Sequence, residues 1–199
     1  MGAHSDDIEI GCGGLILSVM ARHPATSVRY VVFSGDDERS REARASAAAL
    51  SGLSVDIHVL DFKDGLFPAQ QPAIKSVFEQ FKADYEPDVI LTHHTLDLHQ
   101  DHATIGAMTR QTFRDHLILR YEIPKYDADL GGANAYFPLT ERVARQKARH
   151  IHEHFASQRG RRWFDPETFL SLARLRGIEC NAAEGFAEAF HLPKATIAI

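Results

Sequence analysis

The stretch "SVRYVVFSGDDERSREARASAAALSGL", Ser27–Leu53, decides the fold class. Its first part, Ser27–Ser34, is β-branched and apolar and lies between the polar groups "HPAT" and "GDD", so it predicts a buried strand. Its second part, Glu38–Leu53, is rich in alanine and other strong helix formers and predicts a helix that closes at Gly52. A buried strand followed by a helix is the repeating unit of an α/β protein.

The same unit recurs further along the chain. The segments "SVDIHVLDF", "DVILTHH" and "LILRYEI" are short and apolar and predict further strands. Between them, "AIKSVFEQFKADYEP" carries apolar residues at helical spacing, and "HATIGAMTRQTFRDH" also predicts a helix. The alternation predicts an α/β fold, a Rossmann-like three-layer sandwich with a mostly parallel sheet. In such sheets ligands bind at the carboxyl ends of the strands.

The pattern changes from about Asp127 onward. We expect "ADLGGANAYFP" to be a long loop, followed by a helix over Thr140–Phe155 with Thr140 as its N-cap. A second helix is predicted from Asp165 as N-cap, with Pro166 at the first helical position. We therefore expect a single domain over residues 1–199, with residues 127–199 as a C-terminal extension packed on it.

Composition excludes several classes of protein. The chain has 199 residues with a formal net charge of −5, which argues against nucleic acid as a partner. No apolar run approaches the roughly 18 residues of a membrane-spanning helix, so we expect no membrane span. There is no basic and then apolar start typical of a signal peptide, and only two cysteines, so we expect free thiols and a cytoplasmic location. A homo-oligomer is left open.

Near its start the chain reads "AHSDDIEIGCGG", Ala3–Gly14, in which polar groups are followed at once by glycines. The glycines predict a turn into a helix that approaches the neighbouring backbone closely. The histidine and the acids should follow a first strand, yet only Met1 and Gly2 precede them. The sequence leaves two alternatives open: upstream residues are missing from it, or the first strand is very short.

Two clusters contain the residues of a catalytic metal site. His4 and Asp7 are spaced i and i+3, and His102 follows Asp101 at the start of a predicted helix. Two nitrogens and one carboxylate, with an open position for water, are a usual ligand set for catalytic zinc. Asp6 lies beside a ligand and is the candidate general base for the metal-bound water. His99 is the candidate donor to an oxyanion, with Asp101 fixing its tautomer.

The segments "AHSDDIEIGCGG" and "HQDHATIG" together resemble the LmbE-like (PIG-L) deacetylase family, which carries an AHPDD-type motif followed by an H-x-D-H motif. Arg39 and Glu42 also match the family's R-x-x-E helix, whereas Ser5 replaces the usual proline. The resemblance covers most of the first 125 residues. It implies a metal-dependent hydrolase that removes an acetyl group from an N-acetylated amino sugar or glycoconjugate of the GlcNAc type.

The resemblance also implies roles for individual residues. It implies zinc ligands at His4, Asp7 and His102, a general base at Asp6, and an oxyanion-facing histidine at His99. Zn²⁺ is the expected metal, and Fe²⁺ suits the same ligands. Candidate contacts to substrate are Arg39, Asp36, His93 and Tyr121.

Several alternatives stay open at this point. Asp6 is also suited to capping a helix, His99 to a solvated loop, and His93 to a structural position. Whether Asp6 or His99 protonates the departing amine is not decided by the sequence. A second activity within the same family is the hydrolysis of a non-acetyl amide such as a thiol conjugate. A rival of another class is a catalytically degenerate regulator that binds a sugar or a nucleotide.

Overall fold

A computed structural model describes residues 1–51 and 55–195. The expected helix end at Gly52 lies outside the described residues. The elements follow one another in this order: α1 (Asp7–Arg22), β1 (Arg29–Val32), α2 (Asp37–Ser51), β2 (Asp56–Val59), α3 (Gln71–Asp84), β3 (Val89–His93), α4 (Gln100–Thr112), β4 (Leu117–Tyr121), β5 (Ala135–Leu139), α5 (Glu141–His154), α6 (Pro166–Glu179) and β6 (Phe186–His191). Short 3-10 turns occupy Phe67–Gln70 and Ala156–Gln158.

The strands form two small sheets. In the first, β1 pairs in parallel with β2. In the second, the order is β3-β4-β6-β5, and β3 is parallel to β4 while β6 is antiparallel to both of its neighbours. The α/β architecture is therefore confirmed, but a mostly parallel Rossmann-like sheet is not.

The physical reason for the mixed sheet lies in the C-terminal part of the chain. A tight turn with positive φ at Asn181 and Gly185 leads from α6 directly into β6. Two helices, α5 and α6, separate β5 from β6, whereas a single crossover helix is the usual connection to a parallel neighbour, and β6 runs antiparallel to both β4 and β5. The expected loop "ADLGGANAYFP" contains most of β5, because this segment finds its partner in β6, about fifty positions further on.

Among the described residues, two larger hydrophobic cores lie on opposite faces of the strands, and a smaller third cluster joins β5, β6, α5 and α6. Tyr30 and Val32 of β1 belong to the core that includes residues of α1, α2 and α5. Val31 and Phe33 alternate with them and belong to the core built with α3 and α4. Helices therefore cover both faces, as the strand periodicity of two residues predicts. Among residues 1–51 and 55–195, no helix has both the length and the apolar composition needed to cross a bilayer.

The residues before Ala3 take part in the hydrogen bonding of the strands. Gly2 donates to Val31 O at 2.9 Å and accepts from Phe33 N at 3.0 Å, which makes a parallel bridge to β1. The amino group of Met1 donates to Leu91 O of β3 at 2.8 Å. These bonds hold the start of the chain between β1 and β3, so that His4 emerges at the carboxyl ends of both strands.

Helix α1 changes direction where it passes β4 and β6. Cys12 has non-helical angles, φ −148° and ψ 18°, which divide the helix into two parts. A Cβ at Gly11 would lie 2.2 Å from Cδ2 of Tyr121, so glycine is required for this close approach to β4. The Glu188 carboxylate of β6 accepts hydrogen bonds from the backbone of Gly14 and Leu15, both at 2.7 Å. The C-terminal region thereby fixes the helix that begins at the predicted site.

Candidate active site

The three predicted metal ligands converge on one centre. His4 Nδ1 lies 3.1 Å from His102 Nε2 and 3.4 Å from Asp7 Oδ2, and His102 Nε2 lies 3.4 Å from Asp7 Oδ1. Bond lengths of about 2.0–2.1 Å in a tetrahedral zinc site place the ligand atoms about 3.3 Å apart. All three residues are buried. Their spacing therefore fits a small divalent cation held between α1 and α4.

The opposite ring nitrogen of His102 is held by a carboxylate that the sequence analysis did not assign. His102 Nδ1 lies 3.0 Å from Asp97 Oδ2, which leaves Nε2 directed towards His4 and Asp7. Asp97 also accepts from the His99 backbone at 2.8 Å and pairs with Lys125 at 3.0 Å. A carboxylate on the far nitrogen fixes the orientation and tautomer of a metal-ligating histidine.

His4 is positioned in the same manner. Its Nε2 lies 3.1 Å from Asp64 Oδ1 and 3.4 Å from Asp101 Oδ2. Burial by itself lowers the pKa of His4, but the carboxylates of Asp7, Asp101 and Asp64 outweigh it and raise the pKa well above its usual value. Arg39 donates through Nη1 to Asp64 Oδ2 at 3.0 Å, so the loop after β2 connects Arg39 to the site.

Asp6 occupies the N-cap position of α1, but its side chain makes no capping hydrogen bond. The capping alternative therefore does not account for this residue. Burial, followed by the negative charge of Asp7, raises the pKa of Asp6 to about 6. A buried carboxylate without a capping role, next to a group of metal ligands, is suited to accept a proton near neutral pH.

His99 is the N-cap of α4, and its Nδ1 accepts the backbone N–H of Asp101 at 3.3 Å. This bond leaves the ring proton on Nε2. Burial, followed by the neighbouring His102 and His4, lowers the pKa of His99. The Asp101 carboxylate accepts from the backbone of Gly65 at 2.6 Å and of Phe67 at 3.0 Å. Asp101 therefore contacts the His99 ring through its backbone N–H, whereas the expected contact was through the Asp101 carboxylate.

Of the four residues expected to contact substrate, two are completely buried and two lie at the start of α2. His93 and Tyr121 are completely buried: His93 Nε2 lies 3.0 Å from Asp7 Oδ2, and the Tyr121 hydroxyl donates to Met1 O at 2.6 Å. Neither reaches the mouth of the site, and His93 Nε2 accepts the backbone N–H of Ala3 at 2.9 Å, so His93 lies beneath Asp7 and anchors the backbone before His4. Asp36 is exposed and accepts from the Arg39 backbone at 2.9 Å at the start of α2. Arg39 remains at the edge of the site.

Sequence reasoning missed Asp64 and Asp97, although both follow predicted strands. Asp64 lies five residues after β2 ends, and Asp97 lies four residues after β3 ends. The rule that ligands bind at the carboxyl ends of strands was the available signal for both. Neither belongs to a short motif, so the sequence offered no way to tell them from other loop acids.

Comparisons with known proteins identify the family of this chain. The family model described as PIG-L, GlcNAc-PI de-N-acetylase, matches residues 1–113. The uncharacterized deacetylase YaiS of Escherichia coli K12 is 33% identical over 135 residues, which cover 62% of this chain and 72% of that protein.

Two solved structures share the fold. N,N'-diacetylchitobiose deacetylase from Pyrococcus horikoshii superposes with a TM-score of 0.72 at 18% identity, covering 96% of this chain and 81% of that one. GalB, a 4-carboxy-2-hydroxymuconate hydratase from Pseudomonas putida KT2440, superposes with a TM-score of 0.71 at 14% identity, covering 100% and 97%. Since a hydratase shares the fold, the fold alone does not identify the chemistry. The family match spans more than half of the chain and includes the convergent His4, Asp7 and His102, and the chain therefore belongs to the PIG-L (LmbE-like) deacetylase family.

Proposed function

We propose that this protein is a metal-dependent N-deacetylase that releases acetate from an N-acetylated amino sugar or glycoconjugate of the GlcNAc type. The observation that carries the proposal is the spacing of His4, Asp7 and His102: the two ring nitrogens lie 3.1 Å apart, and each lies 3.4 Å from a different oxygen of Asp7. The family and the deacetylase relative support the same chemistry. We keep zinc as the expected metal, with iron(II) as the second choice for these ligands.

Each residue of the candidate site has a separate role in the proposed reaction. A divalent metal bound by His4, Asp7 and His102 would act as a Lewis acid towards the amide carbonyl and the attacking water. Asp6 accepts the proton of that water, since its carboxylate has no other assigned partner and its pKa is raised to about 6. His99 donates a hydrogen bond through Nε2–H to the oxyanion that develops on the former carbonyl oxygen, and the amine nitrogen receives a proton from Asp6 or His99 as the C–N bond breaks.

The remaining groups position these residues. Asp97 and Asp64 hold the ligand histidines by their outer nitrogens. Arg39 lies at the entrance, where its side chain is bonded to Asp64, and is our candidate for contacting the sugar hydroxyls. The free cysteines, Cys12 and Cys180, agree with the expected cytoplasmic setting.

Acetate release from metal-reconstituted protein tests the proposal. N-acetylglucosamine glycosides should yield acetate and free amine in equal amounts with the zinc or iron(II) form. Asp6→Asn should keep stoichiometric metal but lose about 10²- to 10⁴-fold in kcat, the range of a lost general base. His102→Ala should lose the metal. Asp115→Asn, an exposed aspartate outside the site, is the matched control and should retain activity.

Two results would contradict the proposal. One is metal-loaded wild-type protein that releases no acetate from any N-acetyl sugar in the screen. The other is Asp6→Asn with near wild-type turnover, which would remove the base assignment. Metal analysis of the same samples separates a degenerate regulator from an enzyme, because a regulator does not require stoichiometric metal.

A further inference from the structure

Three lysine and arginine residues are buried within the part of the chain that the structure describes, and one of them, Arg120, has no acidic partner. Lys147 pairs with Glu188 at 2.6 Å, and Arg176 pairs with Glu122 at 2.5 Å. Arg120 is 5% exposed, and no carboxylate of the described residues forms a salt bridge with it. Arginine is rarely buried without a partner, because it is costly to remove an uncompensated charge from water.

The guanidinium of Arg120 has one bonded edge and one free edge. The only hydrogen bond that the described residues offer to it runs from Nη1 to Thr95 Oγ1, at 2.7 Å, in the loop after β3. Its Nε is buried and has no hydrogen-bond partner among these residues. The edge formed by Nε and Nη2 is a pair of parallel donors that matches two oxygens of a carboxylate or a phosphate. This edge is therefore suited to an oxyanion, since a buried donor without a partner is costly.

Two histidine rings lie beside this guanidinium. His191 is opposite Arg120 in the pairing of β4 with β6, and the His94 and His191 rings are stacked with their centroids 3.7 Å apart. His94 Nδ1 is a second buried nitrogen that has no hydrogen-bond partner among the described residues. His94, Thr95 and His191 are each half-buried, so the cluster reaches the surface. Donor groups from β4 and from the ends of β3 and β6 therefore meet at one place.

The charge around Arg120 is positive. Asp97 and Asp129 are the acids that act on this cluster, and both are paired with Lys125, at 3.0 Å and 2.6 Å. Burial, followed by the positive charge of Arg110, lowers the pKa of Arg120, and no acidic group counteracts the decrease. An anion that reaches this cluster would therefore be attracted to it.

The cluster lies on the opposite face of β4 from the candidate metal site. Ile118 and Arg120 are two positions apart and face the same way, towards the core built with α3 and α4. Tyr121 faces the other way, towards the start of the chain and the candidate metal site. The two places share one loop, because Thr95 lies two residues before Asp97. A ligand at Arg120 would thus contact this loop without using the metal ligands.

We infer that Arg120, His94 and His191 form a binding site for an oxyanion, a carboxylate or a phosphate group, separate from the candidate metal site. Arg120 would donate two parallel hydrogen bonds through Nε and Nη2, and His94 would donate a third through Nδ1. His191 would hold the His94 ring by stacking on it. Hydrogen bonds to charged groups contribute about ten- to a hundredfold in affinity. The inference is independent of the deacetylase proposal, because anion binding is measured without turnover.

Calorimetric titration of metal-reconstituted protein with inorganic phosphate and with acetate tests the inference. At least one of the two anions should bind with one-to-one stoichiometry, and Arg120→Met should weaken this binding at least tenfold. Arg149→Gln, at an exposed arginine of α5, is the matched control and should bind like wild type. Metal-free His102→Ala should also bind the anion, because the site does not use the metal. Binding that is lost in His102→Ala but kept in Arg120→Met would overturn the inference, as would the failure of both anions to bind.

Thermal melts separate a binding role of Arg120 from a structural one. In a buffer without phosphate or carboxylates, Arg120→Met should melt at or above the wild-type temperature, because it removes an uncompensated charge. Added anion should raise the Tm of wild type and leave that of the variant unchanged. A Tm that is lower in the variant by the same amount with and without the anion would overturn the inference. If Arg120→Met does not fold, Arg120→Lys replaces it, since it keeps the charge but loses the parallel donors and should also weaken binding.

The two titrations also distinguish two sources of the anion. Tighter binding of acetate identifies a carboxylate, the group that the proposed reaction itself releases. Tighter binding of phosphate identifies a phosphate compound that the proposed reaction does not supply. Either result supports the site, whereas equal affinities of wild type and the Arg120 variant for both anions overturn it.

Discussion

Asp97 joins the candidate metal site to the loops beside it. Its Oδ2 holds His102, and its Oδ1 is shared by the His99 backbone and Lys125. One buried carboxylate thus determines the orientation of a ligand and the start of α4. Removing it would leave the buried Lys125 with Asp129 as its remaining carboxylate partner.

Asp97→Asn should therefore weaken metal binding without removing any ligand. The neutral amide keeps the shape of the side chain but holds the His102 ring less firmly, and changes of this kind cost 10- to 100-fold in metal affinity. Competition with a chromogenic chelator measures the effect. Asp115→Asn serves as the control, and an unchanged affinity in Asp97→Asn would show that His102 is oriented by other contacts.

At the scale of elements, α1, α2 and α5 meet around a small polar cluster behind the site. Ser46 donates to Glu9 Oε1 at 2.6 Å, and its oxygen lies 2.8 Å from His150 Nε2. The residue types of "RHIHEH", Arg149–His154, are typical of a solvated helical face. The His150 side chain nevertheless contacts Ser46 of α2. Burial, followed by the neighbouring His154, lowers the pKa of His150 to about 4.

The lowered pKa predicts a loss of stability in mild acid. In the unfolded chain His150 binds a proton below its ordinary pKa of about 6.5, whereas in the folded protein it does so only near 4. At His150 the unfolded state therefore binds more protons in this window, so the contribution of His150 to the free energy of unfolding decreases as the pH falls from about 6.5 towards 4. Glu9 acts in the opposite direction, because burial raises its pKa to about 8.

Urea unfolding of wild type and His150→Gln at pH 7.5, 6.5 and 5.5 measures this contribution. The variant keeps a hydrogen-bonding group for Ser46 but cannot titrate, so its urea midpoint should fall less with acidification than that of wild type. His23→Gln, at an exposed position, should behave like wild type. Parallel curves for wild type and His150→Gln would show that His150 does not titrate in this range.

At the scale of the whole molecule, the site joins the start of the chain to its middle. His4 and Asp7 precede the first long helix, and His102 lies in α4, nearly a hundred positions later. Backbone hydrogen bonds from Met1 and Gly2 join the start of the chain to β1 and β3. A metal that binds all three ligands should therefore stabilise the folded state as a whole, because the unfolded chain does not bring them together.

Removal of the metal should lower Tm. A metal present at 100 times its Kd adds about 2.7 kcal/mol to the free energy of unfolding. Calorimetric melts of chelated and zinc-reconstituted protein should differ by several degrees in wild type. In His102→Ala the two melts should coincide. A wild-type Tm that is independent of zinc would mean that these ligands do not hold a cation in the folded state.

Local patterns in the sequence were sufficient for most of the helices and strands and for choosing the three side chains that converge at the candidate metal site. Thr140 and Asp165 cap α5 and α6 as predicted, since a cap depends on neighbours within three residues. His4, Asp7 and His102 could be identified because both motifs carry their residue types at short, characteristic spacings. The continuous burial of Tyr30, Val31 and Val32 in β1 follows from its apolar pattern in the same way.

The tertiary structure decided which distant segments meet. The pairing of β5 with β6, the contact of Asp97 with His102 through a loop, and that of Asp64 with His4 all join residues with no shared local pattern. Complete burial of Tyr121 likewise depends on the close approach of Gly11 from another element. Such contacts are set by the packing of whole elements around two cores, and a periodicity read along the chain contains no information about which faces will pack together.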